Sequence, residues 1–265
     1  MTDTSALLAA YDSQIRATPP APPPGVTHEY DGRLLRTVGL FRGILNAPPD
    51  LELRGRELDE LICRQRDYFA ARGEAVEWKV RGHDAPEDLT DRLRAAGFAP
   101  GAEETVLVAP VADLAVERPE LPDGVRLRRV SADADIHRIG ALQTTVWGQD
   151  MSWLAEHLLA RLATAPDDLA VYAAEAGGDM VSAAWLSFRP GTEFAGLLGG
   201  STLAQWRGKG VYRALVATRA ALAAARGVTY LHLDASADSS RVLRRLGFRA
   251  VTTLTPYVWS PQGGA

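Results

Sequence analysis

Apolar residues recur along this chain with two periods, and the switching between them predicts alternating helices and strands. Leu7, Leu8, Tyr11 and Ile15 fall at three- and four-residue intervals, which predicts a helix over 2–17. The proline-rich stretch 18–25 then forms a stiff spacer that no helix can cross. Short apolar runs predict strands near 34–38 and 43–46, and Leu58, Leu61, Ile62 and Phe69 mark one stripe of a helix at 55–72 closed by Gly73. A strand at 75–81, a helix at 86–96 and a strand at 104–109 follow. Pro110, Pro119, Pro122 and Gly124 break the pattern at 110–124. Beyond the break come a strand at 125–130, helices at 133–146 and 152–164, and a strand at 169–176. Gly177-Gly178-Asp179 marks a hairpin turn into a strand at 180–188, with another at 193–203. A helix at 210–226, a strand at 228–234, a helix at 238–246 and a strand at 249–258 complete an α/β order with a mixed sheet.

These signals divide the chain into an N-terminal helix and spacer at 1–25, a first domain at 26–112 and a second at 125–262. The length of 265 residues suits two modest domains, and 46% apolar with 23% charged residues is the composition of a folded protein. A net charge of −4 creates no global field for nucleic acid or anionic lipid. The lone Cys63 excludes an internal disulfide, and the five scattered histidines show no metal-ligand spacing, so no metal is expected. Neither a signal peptide nor a run of about 20 apolar residues is visible, which predicts a cytoplasmic protein.

The two halves share markers in the same order. Arg54-Gly55-Arg56-Glu57 precedes a helix and Gly97-Phe98 follows the next strand and helix; Arg207-Gly208-Lys209-Gly210 and Gly247-Phe248 do the same in the second half. The intervals from Arg to Phe are 44 and 41 residues, which points to a duplication.

The richest stretch runs from Leu203 through Arg207-Gly208-Lys209-Gly210-Val211-Tyr212-Arg213 to Leu215. A strand enters a Gly-rich turn that opens directly into a helix. The free N–H groups of such a first turn, at the positive helix end, suit a pyrophosphate. Gly208 and Gly210 leave the backbone approachable, while Arg207, Lys209 and Arg213 add positive charge at the rim.

This stretch resembles the acyl-CoA loop of the GNAT acetyltransferase superfamily, Arg/Gln-x-x-Gly-x-Gly/Ala followed by a helix. The frame starting at Arg207 is preferred over the one starting at Gln205, which fits the formula literally but sets the helix start too far from the loop. In the preferred frame Tyr212 departs from the family's Gly or Ala. The resemblance spans 125–258 and ends on Leu246-Gly247-Phe248, and 26–110 reads as a truncated, degenerate copy. Glu57 puts a carboxylate where that copy would need to bind an anion. The implied architecture is a GNAT fold in two units, the first truncated.

The resemblance further implies acetyl-CoA as co-substrate and an amine as acceptor. Gly200, Ser201, Thr202 and Leu203 would lie along the acyl-CoA, acting by main chain, with Ser239 on the late helix as a further cofactor contact. One main-chain N–H of that strand would polarise the thioester carbonyl. An amine acceptor is almost wholly protonated at neutral pH, so a base is required, with Glu193, His232 and Asp234 as candidates. The tyrosine that often protonates the leaving thiolate is replaced by Leu243, which would face the thiol, and Tyr257 is a substitute candidate. Trp147, Gly148, Gln149, Asp150 and Trp153 would line the acceptor side. The expected activity is acetyl transfer to an amine by direct attack in a ternary complex; the rival is a non-catalytic acyl-CoA-binding or regulatory module.

Overall fold

The computed structural model describes residues 3–114 and 120–261. Pro119 of the expected boundary and Gln262, the last residue of the expected second domain, lie outside the described residues. In chain order the elements are α1 (Thr4–Tyr11), continued by a π turn (Asp12–Arg16), β1 (Thr27–Asp31), β2 (Leu34–Val38), β3 (Gly43–Asn46), α2 (Gly55–Ala71), β4 (Val76–Arg81), α3 (Leu89–Ala95), β5 (Ala99–Pro100) and β6 (Glu104–Pro110). Then follow β7 (Val125–Val130), α4 (Asp133–Trp147), α5 (Trp153–Thr164), β8 (Leu169–Ala176), β9 (Asp179–Phe188), β10 (Phe194–Thr202), α6 (Val211–Ala225), β11 (Tyr230–Ala235), α7 (Ala237–Arg245) and β12 (Arg249–Trp259). The α/β reading with a mixed sheet holds. None of the described helices is long and apolar enough to cross a membrane.

The chain forms two compact units that depart from the linear boundaries. The first extends to Leu107 and also takes in Asp234–Val242 and the chain from Arg249 onward; the second comprises Val108–Leu233 and Leu243–Phe248. Strand pairing is the cause: β12 runs antiparallel to β4, from Leu254 opposite Arg81 to Trp259 opposite Val76. The last strand therefore completes the first unit's sheet, ordered β1-β2-β3-β4-β12. Nor is the N-terminal helix a separate appendage, because Leu7 and Tyr11 are buried and Arg16 pairs with the buried Asp84 at 2.8 Å. Leu58, Leu61, Ile62 and Phe69 of α2 lie in the first unit's core with Trp78 and Phe98.

The second unit has the strand order β11-β10-β9-β8-β7. β7, β8, β9 and β10 meander antiparallel, whereas β11 joins β10 in parallel. Ile136, Ile139, Leu142, Leu154 and Leu158 of α4 and α5 pack on Val171, Ala173 and Ala183 of the sheet. Val211 of α6 packs instead with Val125, Ala174 and Val181. Strand alternation puts those two sets on opposite sheet faces, so the unit is a three-layer sandwich.

Candidate active site

β10 and β11 pair through Phe194–Tyr230, Ala195–Leu231 and Gly196–His232, and the pairing stops there. β10 itself continues to Thr202. The edge of β10 that faced β11 is thus released over its second half. On the opposite edge β10 stays with β9, but the register slips between Leu198, opposite Trp185, and Ser201, opposite Ala183. Gly199 and Gly200 form the resulting bulge. Gly199 has φ +63°, and a Cβ there would lie 1.9 Å from the Trp185 ring. A Cβ on Gly200 would come within 2.7 Å of Tyr212, whose own burial pushes its phenol pKa up.

Side chains from two helices, α4 and α6, fix this bulge. Gln143 of α4 donates from Nε2 to the Gly199 carbonyl at 2.7 Å and accepts from Ser201 Oγ at 2.7 Å and Trp147 Nε1 at 2.8 Å. Arg219 of α6 is 1% exposed and donates through Nη1 to the carbonyls of Trp185 at 3.1 Å and Leu198 at 3.3 Å, and through Nε to that of Leu215. Burial lowers its pKa to about 10. Past the bulge, Leu203 N–H returns to Val181 O and Ser182 Oγ donates to Ser201 O, holding the strand end against β9.

The Gly-rich loop follows at once. A 3₁₀ turn spans Ala204–Trp206, and Arg207 Nε donates to Thr202 O at 3.1 Å. Gly208 and Gly210 have φ of +72° and +82°, conformations that L side chains resist. Gly210 caps α6, whose first internal bond runs from Ala214 N–H to Gly210 O. The N–H groups of Val211, Tyr212 and Arg213 therefore have no intrahelical acceptor and lie at the positive helix end. A Cβ on Gly208 would meet open space, so the loop surface is clear for a ligand. Lys209 Nζ sits 4.9 Å above the Trp206 ring. This donor set fits a pyrophosphate.

The helix start corrects the sequence frame. α6 begins at Val211, directly after Gly210, so the distance objection to Gln205-x-x-Gly208-x-Gly210 fails. Gln205, exposed in the 3₁₀ turn, holds the first motif place, and Tyr212 is no departure from the pattern.

The remaining candidates scatter. His232 stands beside Gly196, its ring 5.9 Å from that of Phe194. Glu193 precedes β10 at the end remote from the bulge, where its carboxylate accepts from Thr229 Oγ1 at 3.2 Å. Asp234, Ser239 and Tyr257 belong to the first unit. Asp234 is exposed there, and its charge helps raise the pKa values of Tyr11 and Glu104, burial being the larger cause in both. Ser239 Oγ bonds the carbonyl and hydroxyl of Ser236. Tyr257 is a correction: at 3% exposure it is enclosed in the first unit's apolar core, with no role as a presented acid. Leu243 is another, being fully buried instead of facing a thiol. On the expected acceptor side, Asp150 is engaged by Ser152 N–H and Oγ, contacts that lower its pKa, while Trp147 is 55% exposed.

The second unit thus presents a released and bulged strand that runs into a Gly-rich loop and a helix N-terminus. Residues 135–248 match the model of the acetyltransferase (GNAT) family. The chain is thus similar to the GNAT family over residues 135–248, and its full length shares the fold of solved GNAT proteins. It is similar to a GCN5-related N-acetyltransferase from Kribbella flavida, at 20% identity over 100% of this chain and 97% of the other, with a TM-score of 0.68. A tandem GNAT protein from the clavulanic acid biosynthesis pathway matches at 14% identity over 92% of this chain and 86% of its own, with a TM-score of 0.65. A GCN5-related N-acetyltransferase from Sphaerobacter thermophilus matches at 16% identity over 89% and 83%, with a TM-score of 0.66. At these identities the likeness is one of fold. No curated protein matches the sequence.

Proposed function

We propose that the second unit transfers an acyl group, acetyl in the simplest case, from acyl-CoA to an amine by direct attack in a ternary complex. The observation that carries this reading is the junction at Gly199–Gly210: a bulged strand edge released from β11 leads without interruption into the anion loop and α6. Acyl-CoA supplies an activated thioester carbonyl and a leaving thiolate of ordinary thiol acidity. The main-chain N–H groups of Val211–Arg213, with Lys209 and Arg213 at the rim, hold the pyrophosphate. A main-chain amide of the Gly199–Gly200 bulge faces the acyl carbonyl, and the released edge over Ser201–Leu203 carries the connecting arm. His232 accepts the amine proton through water, being one strand pairing away from the released edge. Glu193 is about 20 Å of extended chain from Gly199 and anchors the far strand end instead. With Leu243 buried, the thiolate departs without a proton from that position.

Calorimetric titration with acetyl-CoA tests the reading. Micromolar affinity is expected for the wild type. Gly210→Glu should lose it by at least about 100-fold, because a carboxylate then stands at the anion site, while the positive φ at that position lowers the thermal transition by a few degrees and leaves the protein folded at the titration temperature. Equal affinity in the two proteins would remove the loop assignment. Tight binding with no turnover over a broad amine panel would favour the non-catalytic module.

A further inference from the structure

Two consecutive peptide units at the bulge have their carbonyl oxygens taken by buried side chains. Arg219 Nη1 reaches Leu198 O at 3.3 Å and Gln143 Nε2 reaches Gly199 O at 2.7 Å. Both donors are almost completely enclosed, at 1% and 2% exposure. In a trans peptide the N–H points opposite to the carbonyl, so Gly199 N–H is directed away from Arg219 and Gly200 N–H away from Gln143. A donor placed on a carbonyl draws electron density from the attached N–H and strengthens it as a donor, the cooperative effect seen in hydrogen-bond chains.

Arg219 is an expensive way to fill space. Among the described residues no carboxylate pairs with it, and its titratable neighbours are the phenols of Tyr212 and Tyr172. Among the described residues its charge is met by three carbonyl dipoles, from Leu215, Trp185 and Leu198. A buried cation without a counter-ion opposes folding, and an apolar residue of similar volume would avoid that cost. What the cation adds is a fixed positive potential behind the bulge. Gln143 is fixed in turn: its Oε1 accepts from Ser201 Oγ and Trp147 Nε1, so the amide cannot flip without losing both.

We propose that Arg219 and Gln143 are positioning residues for acyl transfer: they aim and polarise the Leu198–Gly199 and Gly199–Gly200 peptides, so that a main-chain N–H of the bulge is held to stabilise negative charge on the acyl oxygen. This rests on the acyl-transfer reading of the same site. The effect belongs to the transition state, where charge on that oxygen is greatest.

The test is isotope-edited infrared spectroscopy of [1-13C]acetyl-CoA bound to the wild type, Arg219→Lys and Gln143→Met, with calorimetry and thermal melting on each. Gln143→Met leaves the buried cation in place, so it reports even if Arg219 variants fold poorly. In the wild type the thioester carbonyl band should move to lower frequency on binding. The displacement should shrink in Gln143→Met and be partly retained in Arg219→Lys, which keeps the charge. Acetyl-CoA affinity should stay within about threefold, while kcat falls about 10- to 100-fold in Gln143→Met. A wild-type band at the free frequency, or a full displacement and unchanged kcat in both folded variants, overturns this proposal and leaves acyl-CoA binding intact. Absence of acetyl-CoA binding by the wild type overturns the acyl-transfer reading itself, and this one with it.

Discussion

A Cβ on Gly199 would lie 1.9 Å from the Trp185 ring, and the residue's φ of +63° already excludes most side chains. Two independent constraints thus require glycine at the bulge, one from its own backbone dihedral and one from a ring on the neighbouring strand. Leu243 shows the same dependence from the opposite direction. The family resemblance sets it, five residues before Phe248, facing a thiol, yet it is fully buried, and its carbonyl accepts the N–H groups of Leu246 and Phe248. It is the anchor of the Gly247-Phe248 turn. Leu243→Tyr adds a ring and a hydroxyl to a packed position, so the protein should lose about 1–3 kcal/mol, read as a fall in the denaturant midpoint at unchanged slope. Wild-type stability with faster turnover in that variant would restore the thiol-facing reading.

Elements were legible wherever one face is buried. The helices at 55–72 and 133–146 and the strand at 169–176 come out within one or two residues because their apolar periods are driven by the core. β1 was missed, since Thr27–Asp31 has no buried residue and therefore no apolar alternation to detect. The glycine loop was visible from composition alone, whereas its frame depended on where α6 begins, which only the backbone reveals. Arg219 was unreadable: nothing in Thr218-Arg219-Ala220 distinguishes a buried cation from a solvated one. The corner between β7, α4 and β8 is likewise set by tertiary contacts. Arg128 binds Asp135 at 2.6 and 2.7 Å and Glu175 at 2.8 and 2.9 Å, and Arg138 adds a bond to Glu175. The Arg128 guanidinium, ahead of the other causes, holds both carboxyls below their ordinary pKa values. A depressed carboxyl contributes stability that is complete above its unfolded value, about 4–4.5, and is lost as pH falls through the folded value. Arg128→Gln should therefore melt lower than the wild type by an amount constant from pH 6 to 8, worth about 1 kcal/mol or less for so exposed a pair. The difference should close as pH drops below about 4; a gap that persists at pH 2 would assign the loss to packing.

At the scale of the whole molecule, the two units treat the same strand–loop–helix motif in opposite ways. In the first, β3 pairs with β4 along its full length, from Gly43 opposite Val76 to Asn46 opposite Lys79, and a further bridge joins Asp50 to Ala85. Among the described residues, β3 shows no released edge of the kind β10 presents. Arg16 reaches Ala47 O at 2.7 Å just past β3, in ion pairs with Asp84 and Asp12. The cationic residue before α2 is also occupied: Arg54 binds Asp50 through both nitrogens at 2.7 and 2.8 Å, which lowers that carboxyl to about 2, and Glu57 sits in the helix's first turn. An internal carboxylate stands where an outside anion would have to bind. The second unit's loop stays open, and the corresponding place in the first is filled by the chain's own side chains. Acetyl-CoA should therefore bind with one site per chain, and hydrogen exchange should slow over Gly199–Arg213 while residues 43–60 stay unchanged. Arg54→Ala should leave both the stoichiometry and the affinity as they are. A second site, or protection appearing at residues 54–58, would mean that the Asp50–Arg54 pair yields to phosphate and that the first unit still binds the ligand.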